Sequence, residues 1–192
     1  MRKILASTAL VCVLSSSAMA ESDNYFAGLS YAYGSFTDGI SLLGLIGSDA
    51  YTGHRFGLYG GYTDMRDANL GFRYYLSLDF GTDYTKGKNN PHYSTTNLYA
   101  NADVLYKFLE QGDLEYSVYG GVALGFISGK ETAGRYSNSE TGLGLGINLG
   151  ARINYEAFGS KFSTELYTRT GLIDSVLNGS DSQIGIRTSY LF

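Results

Sequence analysis

The sequence predicts an all-β chain, an eight-stranded antiparallel up-and-down transmembrane β-barrel. Three observations carry that reading. Apolar and polar residues alternate with a period of two in eight successive segments, which is the pattern of strands and not of helices. The face opposite the apolar one holds glycine, tyrosine, serine and isolated charges of both signs. The segments are joined by connections that alternate short with long.

The first segment, residues 25–35, sets Tyr25, Ala27, Leu29, Tyr31 and Tyr33 against Gly28, Ser30, Ala32 and Gly34. The second, 54–63, sets Phe56, Leu58 and Tyr62 against Arg55, Gly57, Tyr59 and Gly61. The third, 70–81, is the most regular: Leu70, Phe72, Tyr74, Leu76, Leu78 and Phe80 alternate with Gly71, Arg73, Tyr75, Ser77, Asp79 and Gly81. In the fourth, 97–108, Leu98, Ala100, Ala102, Val104, Tyr106 and Phe108 oppose Asn101, Asp103 and Lys107.

The fifth, 115–127, places Tyr116, Val118, Val122, Leu124 and Phe126 opposite Ser117, Tyr119, Gly121 and Gly125. The sixth, 142–155, places Leu143, Leu145, Ile147, Leu149 and Ile153 opposite Gly144, Gly146, Asn148, Gly150 and Arg152. Threonines interrupt the apolar face of the seventh, 162–173, but Glu165, Tyr167 and Arg169 share its other face. The eighth reads "SQIGIRTSYLF", with Ile184, Ile186, Thr188, Tyr190 and Phe192 on one side and Gly185, Arg187, Ser189 and Leu191 on the other.

A soluble sandwich would bury the apolar faces and cover the others with lysine and glutamate. The second faces here suit the lumen of a narrow closed barrel, where tyrosines fill space and glycines leave room for them. The apolar faces then meet lipid. About 11 residues at roughly 3.3 Å each, tilted about 45°, cross the ~25 Å apolar band of an outer-membrane barrel. Closure also removes strand edges that lipid could not satisfy.

Residues 1–20, "MRKILASTALVCVLSSSAMA", have Arg2 and Lys3 ahead of a short apolar stretch and end in Ala18-Met19-Ala20. They read as a secretory signal peptide, leaving residues 21–192 as one barrel domain. The single cysteine, Cys12, falls inside that leader, so disulfides, thiol chemistry and cysteine metal sites are excluded from the mature chain. The formal net charge is −4, and loss of Arg2 and Lys3 makes it more negative. No basic patch supports nucleic-acid binding. No cluster of ligating residues implies a metal, and no phosphate-binding glycine loop implies a nucleotide cofactor.

The connections near residues 64–67, 110–113 and 157–160 are short, whereas 36–53, 82–96, 128–141 and 174–181 are longer and polar. Short periplasmic turns and long outer loops are the rule in outer-membrane barrels. Tyr62, Tyr106, Phe108, Tyr116, Tyr155, Phe162 and Tyr190 gather beside the short turns, where an interfacial girdle belongs.

From "YFAGLSYAYGS" to "IGIRTSYLF" the chain resembles the small eight-stranded outer-membrane barrels of Gram-negative bacteria that include the OmpA transmembrane domain, OmpX and the opacity adhesins. That resemblance implies a place in the outer membrane among lipid and lipopolysaccharide. It also implies that the last strand, through Tyr190 and Phe192, is read by the outer-membrane assembly machinery.

Within the lumen, Arg55, Arg73, Lys107, Arg152, Arg169 and Arg187 are expected to face Asp79, Asp103, Glu115 and Glu165. Pairing strands six and seven about their turn sets Arg152 opposite Glu165, and the turn before strand five brings Lys107 near Glu115. Such charges can form a plug of ion pairs or a gated ion path; eight strands leave room for side chains and not for an open solute channel.

A lipid A deacylase family of such barrels uses a His-x-Ser element, which His92-Tyr93-Ser94 resembles, though here in an expected loop. His54 with Ser48 and Asp49 is a second arrangement of base and nucleophile on paper. Both histidines read more simply as polar loop-base residues. The apolar run "ISLLGLIG" carries Ile40, Leu42, Leu43, Leu45 and Ile46 in the first long loop, and is expected to pack over the barrel mouth, to lie against lipid or to engage a surface ligand. The overall expectation is a non-enzymatic barrel that supports the envelope and displays loops to a host or surface ligand. A narrow pore and a lipid-modifying enzyme are the alternatives.

Overall fold

In the computed structural model, residues 25–38, 51–84, 92–133, 136–174 and 179–192 are described. They form eight strands: β1 (Tyr25–Asp38), β2 (Tyr51–Met65), β3 (Leu70–Tyr84), β4 (His92–Gln111), β5 (Leu114–Ala133), β6 (Tyr136–Ala157), β7 (Ser160–Asp174) and β8 (Gly179–Leu191). Each pairs antiparallel with its neighbours in chain order, and β1 pairs with β8, so the sheet is a closed barrel. The seam is in register from Phe26↔Leu191 to Asp38↔Gly179. Reciprocal backbone hydrogen bonds between Tyr25 and Phe192, 3.1 and 2.9 Å, continue it past the end of β8.

The alternation decides which way each side chain points. Leu29, Leu76, Leu124, Leu149 and Ile186 are more than half exposed on the outer wall, while Arg73, Asp103, Asn148, Glu165 and Arg187 on the intervening faces are almost fully buried. This polarity is inverted relative to a soluble domain and is what a sheet in lipid requires. Inside, small residues accommodate large ones: a β-carbon at Gly150 would collide with the Tyr119 ring, and one at Gly34 with the Arg55 guanidinium.

The strands run further than the apolar pattern alone indicates. β4, β5 and β6 have 20, 20 and 22 residues, and their ladders extend to Tyr84↔His92 and Ala133↔Tyr136. Much of the expected loops 82–96 and 128–141 is therefore paired strand. The backbone ladder does not need apolar side chains once it has left the membrane band, and the outer residues there are polar, as in Ser137–Glu140. At about 3.3 Å per residue and 45° tilt, β6 extends roughly 50 Å along the axis, about twice the ~25 Å apolar band.

The short turns have individual chemistry. In the β2–β3 turn, Asp67 Oδ1 accepts hydrogen bonds from the Asn69 and Leu70 backbone N–H groups, 2.8 and 2.7 Å. These two donors hold the Asp67 carboxyl below its ordinary range. The β4–β5 turn uses Gly112 at φ 60°. The β6–β7 turn has Phe158 at φ 57° followed by Gly159 at 72°, the two left-handed residues of a type I′ hairpin, where the first position favours asparagine. Phe158 is fully exposed and makes no packing contact that offsets this conformation. Phe158→Asn is expected to stabilise the barrel by about 1 kcal/mol, seen as a higher urea midpoint for unfolding from lipid vesicles.

Candidate functional site

The lumen is a stack of charged and aromatic side chains. Toward the long-loop end, Arg55 of β2 pairs with Asp181 of β8, and Asp181 also accepts a hydrogen bond from Asn97 Nδ2 at 2.8 Å. One layer below, Arg169 of β7 pairs with Asp79 of β3 and lies over the Tyr99 ring, 4.0 Å from its centroid. Ser30 and Gln183 also donate to Asp79, at 3.4 and 3.5 Å.

The central layer is built on Arg73. Its guanidinium pairs with Asp103 at 2.7 Å and with Glu165 across the lumen, and it stacks 4.2 Å from the Tyr119 ring centroid. The second Glu165 oxygen accepts the Tyr119 hydroxyl at 2.8 Å. Asn148 donates toward Asp103 Oδ1, Asn101 Oδ1 and the Tyr75 hydroxyl at 3.0–3.2 Å. Arg187 donates to the Tyr75 hydroxyl at 3.0 Å and lies 3.7 Å from the Tyr167 ring centroid. Buried charges held this way are paired, hydrogen-bonded or faced by aromatic rings, which is the condition for keeping them out of water.

At the short-turn end the network opens. Arg152 Nε donates to Asn154 Oδ1 at 2.7 Å and to Ser163 Oγ at 3.1 Å, and Asn154 Nδ2 donates to Glu115 at 3.0 Å. Lys107 lies 2.7 Å from Glu110 and 3.7 Å from Glu115. A cavity of about 450 Å³ occupies this mouth, with Lys107, Glu115, Ser117, Arg152 and Asn154 in its wall.

Every charge expected in the lumen sits on an inward position, but not every expected partnership forms. Arg152 and Glu165 are opposite in register, yet the carboxylate bonds to Arg73, four strands away through the lumen. Register fixes neighbouring backbones, whereas a long guanidinium in a narrow barrel reaches across it. Lys107 and Glu115 are brought together, as part of the mouth and not of the sealed interior, and Glu110 joins them. Asp181 is a lumen residue that lay in an expected loop; it shares the odd-numbered inward parity of Gln183, Gly185 and Arg187, which extends the strand to include it. Of the tyrosines that face the arginines, Tyr75, Tyr119 and Tyr167 were legible on the inward faces but not as cation partners, and Tyr99 is added by the structure.

On the outer wall, His54 belongs to β2 and not to a loop base. Its Nδ1 is 2.7 Å from the Tyr31 hydroxyl and its ring stacks on Tyr31 and meets Tyr33 edge-on. His92-Tyr93-Ser94 opens β4, so the expectation of a loop there is corrected. The polar run carries on the β4 ladder above the apolar band. His92 is in register with Tyr84 and Thr132, and Ser94 with Thr82 and Lys130. Tyr155, Phe162, Tyr190 and Phe192 form a continuous aromatic row beside the short turns, with successive centroids 6.0, 5.6 and 5.7 Å apart.

Ile40, Leu42, Leu43, Leu45 and Ile46, together with Ser48 and Asp49, lie outside the described residues. Among the described residues, no group of three His, Cys, Asp or Glu side chains is placed to hold a metal.

The profile of a family described as "Outer membrane protein beta-barrel domain" matches residues 6–191. No curated protein matches the sequence. Among solved structures, the chain is similar to Neisserial surface protein A, with 16% identity over 89% of this chain and 98% of that one and a TM-score of 0.54. It is similar to Ail, the attachment invasion locus protein of Yersinia pestis, with 14% identity, 88% and 99% coverage and a TM-score of 0.53. It is also similar to the outer membrane enzyme PagL, with 11% identity, 86% and 99% coverage and a TM-score of 0.51. At these identities the likeness is one of fold.

Proposed function

Since the chain belongs to the outer membrane protein beta-barrel domain family, we propose that it is a non-enzymatic barrel of the outer membrane, with a plugged lumen and long loops displayed for surface interaction. The observation that carries this reading is the central layer. Arg73, Asp103, Glu165, Tyr119, Tyr75 and Arg187 meet across the lumen through hydrogen bonds, ion pairs and ring contacts, so solute passage would require breaking buried charge pairs. The barrel then serves as a rigid support in lipid and lipopolysaccharide. Specific contact falls to the connections at the long-loop end, the apolar run 40–46 above all, where an adhesive role toward a host or surface ligand belongs. The leader directs export, the short turns face the periplasm, and Tyr190 and Phe192 serve as the signal for the assembly machinery.

The non-enzymatic reading predicts that expression of the protein leaves lipid A unchanged. Mass spectrometry of lipid A after expression checks for acyl removal.

The purified folded barrel is expected to show no discrete current steps in planar bilayers, and a variant lacking residues 40–46 is expected to keep normal folded yield while losing binding to host cells or coated surfaces. Stable single-channel steps from the folded monomer would replace the plug with a pore. Unchanged binding by the loop variant would remove the adhesive role from that loop.

A further inference from the structure

We propose that the short-turn mouth of the lumen is a binding site for one small monovalent anion, of the size of chloride, held by Arg152. Among the described residues the lumen and its short-turn mouth hold five buried arginines, Arg55, Arg73, Arg152, Arg169 and Arg187, and four buried carboxylates, Asp79, Asp103, Glu165 and Asp181. Three of the arginines form ion pairs with those four carboxylates. Arg187 is enclosed by tyrosines. Arg152 forms no ion pair and faces no ring among the described residues, because Glu165, its register partner, bonds to Arg73 instead.

The Arg152 side chain is 4% exposed, so water screens it little. Only its Nε is used within the protein, toward Asn154 and Ser163. Its two Nη groups carry four donor hydrogens and have no protein acceptor, and the residue forms part of the cavity wall. A second group points the same way: the Thr63 hydroxyl is buried without a partner and lines the same cavity. Ser117 is in register between Lys107 and Arg152 on adjacent strands and adds a hydroxyl to that wall. Donors converging on a roomy cavity, around a buried cation with no carboxylate of its own, make a site for an acceptor that carries negative charge.

The rim limits what can enter. Five carboxylates, Asp67, Glu110, Asp113, Glu115 and Glu156, line the cavity beside the cations Lys107 and Lys161. A polyanion or a large anionic headgroup would meet these carboxylates, whereas a single small charge beside Arg152 balances the excess of five buried arginines over four buried carboxylates. Lys107 does not compete for this role, since Glu110 and Glu115 already hold it.

Crystals of the folded barrel soaked in sodium bromide test the site through bromide anomalous scattering. A peak within hydrogen-bond distance of the Arg152 Nη atoms is expected, and the peak is absent in Arg152→Met. In solution, chloride NMR line broadening by the refolded protein is expected to fall to the vesicle background in the same variant. Unfolding in urea should show the matching linkage: the unfolding constant of the wild type drops roughly tenfold as chloride reaches about ten times its Kd, and that of Arg152→Met does not. If Arg152→Met does not fold, Thr63→Val keeps the charge and is expected to weaken the broadening several-fold. No peak at Arg152 in the wild type, a peak only on the outer rim, or chloride effects that survive both substitutions would overturn the proposal.

Discussion

Glu165→Gln is expected to destabilise the folded barrel by about 3–5 kcal/mol, the range for removing one partner of a buried ion pair and leaving the other charge uncompensated. Glu165 is 1% exposed, and its two oxygens serve Arg73 and the Tyr119 hydroxyl. The amide keeps the volume and one acceptor but loses the charge, so Arg73 keeps Asp103 as its one ion-pair partner among the described residues. Double-mutant cycles separate the partners. Coupling of Glu165→Gln with Arg73→Met is expected at about 2 kcal/mol or more, and with Arg152→Met well below that. Urea unfolding from lipid vesicles reads both cycles. A coupling to Arg152 as large as that to Arg73 would restore the cross-strand pair that the register alone suggests.

Leu149→Arg is expected to cost about 2–4 kcal/mol, because it puts an unscreened charge against lipid near the middle of the membrane band. Leu149 is 54% exposed on the outer wall, between Gly120 and Thr168 on the flanking strands. Leu149→Ala is the informative companion. A lipid-facing leucine loses little packing, so a cost under about 1 kcal/mol is expected, against the 2–5 kcal/mol of a leucine truncated inside a core. A large effect of alanine would place Leu149 inside the barrel and reverse the assignment of faces. Its neighbour Asn148 is no neutral comparison: it is 1% exposed and bonded to Tyr75, Asn101 and Asp103, so Asn148→Arg would break those bonds and overfill the lumen as well as add charge.

The sequence by itself determined the eight strands, their faces and the barrel. Alternation such as Leu70 to Gly81 in β3 is a local property of the chain, and a two-residue period fixes which side chains are inward without reference to any other strand. It also marked most of the charges that the lumen contains, from Arg55 to Arg187, but not Asp181, which lay in an expected loop. Strand ends were only partly legible, because hydropathy marks the membrane band while the ladder continues beyond it: His92 to Thr96 and Ser128 to Ala133 are strand although polar. Only the tertiary structure decided who pairs with whom. Glu165 meets Arg73 and not Arg152, Arg55 meets Asp181, and Arg152 is left to the cavity, because in a narrow closed barrel the distance across the lumen is comparable to the reach of an arginine, so several strands compete for each carboxylate and the closure of the sheet sets the outcome.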